Sequence, residues 1–190
     1  MVRYKYFSAK LLWKSGDEED KKFFREIAAD ISHPENYEAA ESLWRDGSED
    51  EKHFLFEIAQ NLAHPKCYEA AAYCLVQDGT EEEKIMARTA LSKIALSSSH
   101  SNSFDAARDL FSSRIYFSAA GVQAISLNGG DESLKEIAYN ALLRIARDPE
   151  HKYSYFAAEA LWNAADDECR IYIYQIAQNP NHSYSYRAAV

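Results

Sequence analysis

The sequence of 190 residues predicts an all-α protein in which pairs of helices stack along the chain. One observation is a recurring box: an aromatic residue, any residue, two small residues, two of any kind, Leu and a bulky aromatic residue. Full copies occupy residues 6–13, 37–44, 104–111 and 155–162. With shorter or weaker copies opening at Tyr68, Phe117 and Tyr186, the boxes start 31, 31, 36, 13, 38 and 31 residues apart. A repeat period of about this length is typical of stacked helical units.

Residues 33–64 illustrate the first helix of a repeat. His33-Pro34 precedes it, and proline is tolerated in the first turn because its missing amide has no intrahelical partner there. The apolar stripe of this helix has helical spacing and consists of Tyr37, Ala40, Leu43 and Trp44. Asp46-Gly47 is predicted to end the helix, with Gly47 in the left-handed conformation that favours glycine.

The second helix of this repeat begins with a predicted capping box. The Ser48 hydroxyl and the Glu51 carboxylate can each bond an exposed backbone amide of the other residue. The apolar face that follows again has helical spacing and consists of Phe54, Leu55, Ile58, Ala59 and Leu62. His64-Pro65 then opens the next repeat.

The same order of turn, acidic helix start and apolar second helix recurs after residues 15–16, 78–79, 129–130 and 166–168. Most of the second helices share an Ile-Ala pair: Ile27-Ala28, Ile58-Ala59, Ile145-Ala146 and Ile176-Ala177. Neither helix of a repeat can bury its stripe alone, so neighbouring pairs are expected to share one continuous core. Residues 1–190 are therefore predicted to form a single α-solenoid domain.

The two alanines, the leucine, the glycine turn and the second helix, at about 31 residues, resemble the short HEAT-like repeats of the phycobilisome-lyase type. The resemblance implies a right-handed α-solenoid of about six helix-turn-helix HEAT-like repeats. The Ile-Ala pair of the second helix departs from the usual signature of those repeats. Tetratricopeptide-like and Sel1-like repeats are the alternative, but their longer period of about 34 to 36 residues fits less well.

The repeat register breaks near residues 104–117, where two boxes start only 13 residues apart. That distance cannot hold a helix pair. If helices keep alternating between two layers, a helix at about 115–127 takes the place of a second helix, and the layers exchange roles beyond it. A kink with an unpaired short helix is the alternative.

Both ends of the sequence fall inside a helical box, and neither has the polar outer face of a terminal solenoid repeat. The sequence therefore predicts partial repeats at both ends. Tyr6, Leu12 and Trp13 at the start are apolar residues that a neighbouring repeat would cover, and so are Tyr184, Tyr186, Ala188 and Ala189 near the finish. End-to-end self-association, or a longer parent solenoid, is expected from such uncovered stripes.

Composition narrows the class of partner. Lys and Arg total 21 against 30 Asp and Glu, a net charge of -9, which disfavours a nucleic-acid partner because such binding depends on neutralising phosphates. No apolar run is long enough for a membrane span, and the first residues lack a signal-peptide core, so no membrane partner and a cytoplasmic location are expected. Three cysteines without paired spacing make a disulfide framework improbable.

The sequence predicts no metal site and no cofactor. Five histidines, His33, His64, His100, His151 and His182, lie at the turn before a first helix, and repeats about 8–10 Å apart cannot bring them around one ion. The acid clusters at residues 17–20, 49–51 and 81–83 are expected to cap helix N-termini and to form a negative edge that favours a basic partner. Trp13, Trp44 and Trp162 share one box position and are expected in the core.

The predicted function is a non-catalytic scaffold that binds a protein or peptide through the concave face of its second helices. Counting one residue back from each second-helix isoleucine gives the solvent-facing candidates Glu26, Glu57, Lys93, Arg144 and Gln175, and His53 joins them as a groove residue. No phosphate-binding, nucleophile-elbow or zinc-protease motif is present. One alternative is a HEAT-like enzyme acting on a nucleobase or bilin, although a nucleobase enzyme of this fold needs a basic channel and this chain is acidic. Another alternative is a structural spacer or self-assembly module.

Overall fold

The computed structural model describes residues 10, 11, 13, 16–76, 79–112, 114, 115, 125, 126, 132–163 and 169–189. Regular structure in these residues is almost entirely helical, which confirms the predicted class. The helices are α1 (Glu18–Ala29), α2 (Asn36–Asp46), α3 (His53–Gln60), α4 (Cys67–Val76), α5 (Glu81–Leu96), α6 (Ser103–Ser112), α7 (Glu132–Arg147), α8 (Ser154–Asn163), α9 (Arg170–Gln178) and α10 (Ser185–Ala189). A 3-10 turn, Glu49–Glu51, precedes α3, and Lys10, Leu11 and Trp13 are also helical.

Several predicted features lie outside the described residues. These are the opening of the first box at residues 6–9 and Leu12, the box at Phe117, the turns at 129–130 and 166–168, and the side chain of Tyr186. None of the helices in the described ranges combines the length and the apolar character needed to cross a bilayer.

The chain divides into two compact units, Met1–Ala90 and Leu91–Val190, with the boundary inside α5. In the first unit, helices that follow one another in sequence pack together: α1 with α2, α2 with α3, and α3 with α4. The box alanines of α2 and α4 are fully buried: Ala39, Ala40, Ala70 and Ala71. Because the side chains at a helix contact set the distance between helices, these small residues allow close packing.

In the second unit, α6 packs with α7, α7 with α8, α8 with α9, and α9 with α10. The box alanines of α6 and α8 are fully buried, like those of the first unit. They are Ala106, Ala107, Ala157 and Ala158. Ile145 and Ala146 of α7 are buried like Ile58 and Ala59 of α3. Within each unit, helices therefore pack against their neighbours in sequence, which is compatible with the predicted helical repeat.

The helices on either side of the register break pair with each other in the second unit. The second helix α7 is paired directly with the first helix α6, and α6 also contacts the next first helix, α8. The boxes at Phe104 and Tyr155 start 51 residues apart, which is the 31-residue period with 20 residues added between α6 and α7. The alternation of first and second helices resumes after this insertion because α7 carries the apolar stripe that α6 must bury against. Because α6 is paired, it is not the unpaired short helix of the alternative prediction.

One short β pairing departs from the all-helical expectation. Strand β1 (Arg114–Ile115) pairs antiparallel with β2 (Ile125–Ser126), both inside the 20-residue insertion. The sequence predicts a helix at about 115–127, and the extended backbone at Ile115, Ile125 and Ser126 contradicts it.

The predicted conformation of Gly47 is wrong, although its position at the end of α2 is correct. Its φ is -95°, which any residue can adopt, and its N–H donates to the Leu43 carbonyl at 2.8 Å. Glycine is required here because a side chain would have no room. A Cβ at this position would lie 2.4 Å from the Leu43 carbonyl oxygen and 2.6 Å from Glu51 Oε2.

The capping boxes are confirmed at two repeats. The Glu51 carboxylate accepts from the Ser48 N–H at 2.6 Å and from the Ser48 hydroxyl at 3.1 Å. At α5 the Glu83 carboxylate accepts from the Thr80 N–H at 2.6 Å, and the Glu83 N–H donates to Thr80 Oγ1 at 3.2 Å. Each bonded pair fixes the tight turn between the first and second helix of its repeat.

We expect Gly47→Ala to lower the free energy of unfolding by about 1–3 kcal/mol, because the new methyl group must push against a backbone carbonyl. Gly79→Ala is the matched control: the nearest atom to its Cβ is Glu83 Oε2 at 2.8 Å, the far end of a flexible side chain. Gly79→Ala should lower the free energy of unfolding by less than about 1 kcal/mol, because the lower entropy of the unfolded chain offsets part of the steric cost. Urea denaturation of both variants decides between them, and equal midpoints would contradict the steric explanation.

Candidate functional site

The six predicted binding residues are all exposed, as expected. Three belong to the first unit, with Glu26 on α1 and His53 and Glu57 on α3. The other three, Lys93, Arg144 and Gln175, belong to the second unit. They thus form two groups, one in each unit, and no hydrogen bond or ion pair joins members of a group in the described residues.

Arg144 has a structural role. Its guanidinium donates to the Leu96 carbonyl at 2.8 Å and to the Ala95 carbonyl at 3.0 Å. These are carbonyls of the last turn of α5, which have no partner within the helix. Arg144 therefore caps α5 from α7, and a change at this residue would act on stability as well as on any binding.

The five turn histidines form one repeated cap, as predicted. In each repeat the histidine Nδ1 accepts a hydrogen bond from the backbone N–H two residues later, at 3.1 to 3.2 Å; the donors are Glu35, Lys66, Asn102, Tyr153 and Tyr184. A ring nitrogen that accepts carries no proton, so the neutral ring has its proton on Nε2. The cap therefore leaves Nε2 of each neutral ring as the hydrogen-bond donor.

The Nε2 atoms of two of these histidines connect successive repeats. His64 Nε2 donates to Asn36 Oδ1 at 3.0 Å in the first unit, and His182 Nε2 donates to Ser154 Oγ at 2.8 Å in the second. Burial lowers the pKa of His64, and it also lowers the pKa of His151. No group of three or more potential metal ligands occurs among the residues that the structure describes.

The exposed acids at the helix starts are locally paired. Glu18, Glu49 and Glu81 each form an ion pair with the lysine three residues later, at 3.1, 2.8 and 3.5 Å. The first unit still carries 12 Lys and Arg against 19 Asp and Glu, a net charge of -7, whereas the second carries 9 against 11, a net charge of -2. The negative character of the chain is therefore concentrated in the first unit.

Two of the three box tryptophans are buried in the core, as predicted. Trp13 stacks on Phe24, with ring centroids 5.7 Å apart, and Trp44 meets Phe56 edge to face at 5.0 Å. A cation lies 5.3 Å from the ring centre in each case, Arg25 over Trp13 and Lys52 over Trp44. At this distance a cation is attracted to the electron-rich face of the ring.

The prediction that Trp162 is a core residue is wrong. Trp162 is 41% exposed, whereas Trp44, at the same box position, is 6% exposed. Tyr174 lies twelve residues after Trp162, as Phe56 does after Trp44, and is 67% exposed against 7% for Phe56. The same two repeat positions are therefore core in the first unit and surface in the second.

These aromatic residues line a cleft of about 480 Å³ in the second unit, which we call the Trp162 cleft. Its walls come from α8, α9 and α10 and comprise Tyr155, Glu159, Trp162, Asn163, Arg170, Ile173, Tyr174, Arg187, Ala188 and Ala189. Arg170 lies 5.3 Å from the centre of the Trp162 ring. Sequence reasoning missed this site, although the basic residue eight positions after each of Trp44 and Trp162 was a visible signal.

The part of the Trp162 cleft lined by α10 and the start of α8 holds a second arginine. Arg187 lies 5.4 Å from the ring centre of Tyr155 and its guanidinium is 3.7 Å from Glu159 Oε1. The Tyr155 hydroxyl donates to the same carboxylate oxygen at 2.9 Å. Burial raises the pKa of Tyr155, and the bond to Glu159 raises it further. This wall thus presents an oriented guanidinium beside an aromatic surface.

We expect His64→Ala to lower the free energy of unfolding at neutral pH by about 2–4 kcal/mol, because it leaves the Lys66 N–H and the buried Asn36 amide without their partner. The pKa of His64 is lower in the folded chain than its unfolded value of about 6.5. The unfolded chain therefore binds the proton more tightly, so this stability is fully present above pH of about 6.5 and is lost as the pH falls toward the folded pKa.

Urea denaturation between neutral and mildly acidic pH measures both effects. The exposed His53→Ala is the control and should change stability by less than about 0.5 kcal/mol. Equal losses in the two variants, or a pH dependence unchanged by His64→Ala, would contradict the buried-cap assignment.

Comparison with known proteins gives no relative, so the function must be inferred from the geometry described above. No model of a known protein family matches the chain, and neither a curated protein nor a solved structure matches it.

Proposed function

We propose that the chain is a non-catalytic, protein-binding module built from helical repeats, and that the Trp162 cleft binds a segment of its partner. The observation that supports this is the exposure of Trp162 and Tyr174. Their equivalents in the first unit, Trp44 and Phe56, are buried against each other. The cleft therefore exposes aromatic side chains whose equivalents in the first unit are buried in the core.

The composition of the cleft suits recognition of a peptide segment. Trp, Tyr and Arg are the side chains that most often dominate binding energy at protein interfaces. Three aromatic residues and two arginines line the cleft, together with the buried and apolar Ile173. Its volume of about 480 Å³ is within the range that encloses a few side chains of a ligand.

A cleft of similar volume in the first unit is the less suitable candidate. It is lined by Trp13, Lys21, Arg25, Asp46, Gly47, Ser48 and Glu51. Arg25 and Glu51 in that cleft are hydrogen-bonded to each other, and Trp13 is only 8% exposed. A ligand there would have to break an ion pair and would find little aromatic surface.

The proposal retains part of the predicted site. Arg170, Ile173 and Tyr174 come from α9, a second helix, and Gln175 follows Tyr174 directly. The other walls come from the first helices α8 and α10, so the proposed surface joins both kinds of helix. Glu26, His53 and Glu57 lie on other helices, in the acidic first unit, and remain candidates for a separate contact with a basic partner. Lys93 lies on α5 in the second unit and is not part of the cleft lining.

Selection of peptides from a displayed random library against the full chain tests the proposal. We expect peptides whose affinity falls by about tenfold or more with Trp162→Ala and with Tyr174→Ala, the size of effect typical of a central interface residue. Both side chains are exposed, so both variants should keep the circular-dichroism spectrum and the thermal midpoint of the parent chain.

Ile85→Ala is the matched control, because Ile85 is a large apolar residue, 57% exposed, in the first unit. It should leave the affinity of those peptides unchanged. A selection that gives no peptide sensitive to the two cleft variants would contradict the proposed function.

A further inference from the structure

We propose that the second helices of the first unit bind a basic partner segment, in which Arg or Lys residues alternate with apolar ones. The surface that binds it is a row of acidic and aromatic side chains along α1 and α3, which we call the acidic stripe. It consists of Glu19, Phe23, Glu26, Asp50, Phe54 and Glu57. The acidic stripe lies outside the Trp162 cleft, so this inference goes beyond the proposed function and does not depend on it.

The acidic stripe is one pattern that occurs twice, 31 residues apart. In each copy an acid precedes the phenylalanine by four residues and a glutamate follows it by three. Residues at these spacings are neighbours on one face of a helix. The four acids are exposed, Phe23 is 41% exposed, and Phe54 is half-buried. Each copy therefore presents an aromatic ring between two carboxylates.

The two copies lie on neighbouring repeats of the same unit. Arg25 of α1 donates through Nε to Glu51, in the turn that leads into α3, so the middle of α1 lies beside the start of α3. Neighbouring helices pack about 8–10 Å apart. This distance is the length of about three residues of extended chain. A bound segment can thus place one basic side chain on each copy.

Most acids of the acidic stripe are not paired within the chain. Their neighbours at the helix starts bind lysines, whereas no ion pair of Glu19, Asp50 or Glu57 occurs in the ranges that the structure describes. Glu26 lies 4.0 Å from Lys22, and both side chains are largely exposed. An exposed pair of this kind contributes little. A cationic ligand therefore has to displace few existing interactions.

His53 adds a further acceptor beside Phe54, and the two ring centroids are 3.9 Å apart. His53 Nδ1 is bonded to the Asp50 carbonyl. Because a carbonyl only accepts, Nδ1 carries the proton, and Nε2 of the neutral ring is an acceptor. The carboxylates of the acidic stripe also only accept. This set of acceptors fits a guanidinium or ammonium group and disfavours an acidic ligand.

The second unit shows which side chain fits the aromatic position. Tyr172 of α9 precedes the isoleucine of its Ile-Ala pair by four residues, as Phe23 and Phe54 do. Arg147, at the end of α7, lies 5.9 Å from the ring centre of Tyr172 and donates to its hydroxyl at 2.8 Å. In the repeat before Phe54 the residue equivalent to Arg147 is Ala29, which cannot supply a cation. An arginine of the partner can take that place on the Phe54 ring.

The charge of the chain favours the same ligand and directs it to the first unit. Arg144 and Gln175 of the second unit stand where the first unit has Glu26 and Glu57. The net charge is -7 on the first unit and -2 on the second. A basic segment is therefore attracted to the first unit, and its apolar residues can pack on the exposed ring of Phe23.

The test uses a labelled synthetic peptide that repeats the triplet Arg-Leu-Ala, and it measures affinity for the full chain by fluorescence anisotropy. Arginine at every third residue matches the spacing of the two copies in an extended segment. We expect Glu26→Gln and Glu57→Gln together to weaken binding by about tenfold, because two charge-assisted bonds are lost. Phe23→Ala should weaken it by about fivefold. A peptide with Asp in place of Arg should not bind.

Glu18→Gln together with Glu49→Gln is the matched control, because it removes the same charge from acids that are already paired with lysines. It should change the affinity by less than about twofold. Ile171→Ala is the control for Phe23→Ala, because Ile171 is 55% exposed on a second helix of the second unit. These side chains are all exposed, so circular dichroism and a thermal melt should show every variant folded as the parent chain.

The inference is overturned if the Arg-Leu-Ala peptide does not bind, or if the two pairs of acid variants weaken it equally, since net charge alone would then explain binding. An affinity that falls with Trp162→Ala and not with Phe23→Ala would place the peptide in the Trp162 cleft instead. Concentration-dependent sedimentation of the chain alone, abolished by Glu57→Gln, would identify a second copy as the occupant. None of these results except the second removes or supports the Trp162 cleft, whose own test uses different peptides and variants.

Discussion

Close packing of helices through paired alanines is the constraint on which the rest of this structure depends. Ala39, Ala40, Ala106 and Ala107 are all completely buried, and each lies at the same box position of a first helix. A larger side chain there would move the neighbouring helices apart, and the Leu and Ile stripes on both would lose their contacts. The 31-residue repeat is thus maintained by two small residues that make no polar interaction of their own.

The turns between helices combine a local cap with a link to the next repeat. His64 fixes its own turn through Nδ1 and holds Asn36 of the preceding repeat through Nε2. Glu51 caps the turn at Ser48 with one carboxylate oxygen and binds Arg25 with the other. Because the same side chain serves both purposes, folding of one turn favours docking of its neighbour, as expected for a repeat protein whose stability comes from nearest-neighbour contacts.

The same box positions have different surroundings in the two units, and this difference supports a binding role. Trp44 and Phe56 are core residues, whereas Trp162 and Tyr174 line an open cleft. The exposed aromatic surface of the second unit is one part of the chain that we propose binds a partner. A repeat array can in this way present part of its own core pattern to a partner.

The sequence by itself determined the helices other than the one predicted at about 115–127, the buried box alanines, the capping boxes at Ser48 and Thr80 and the turn histidines, because these depend on residues a few positions apart. It also placed Glu26, His53, Glu57, Lys93, Arg144 and Gln175 at the surface. Only the tertiary structure decided that α6 pairs with α7 across a 20-residue insertion, that Gly47 is required for space and not for its φ, that Arg144 caps α5, and that Trp162 is exposed. Those outcomes depend on contacts between residues far apart in the sequence. A periodic pattern indicates which face of a helix is apolar, but it does not indicate which other segment packs on that face.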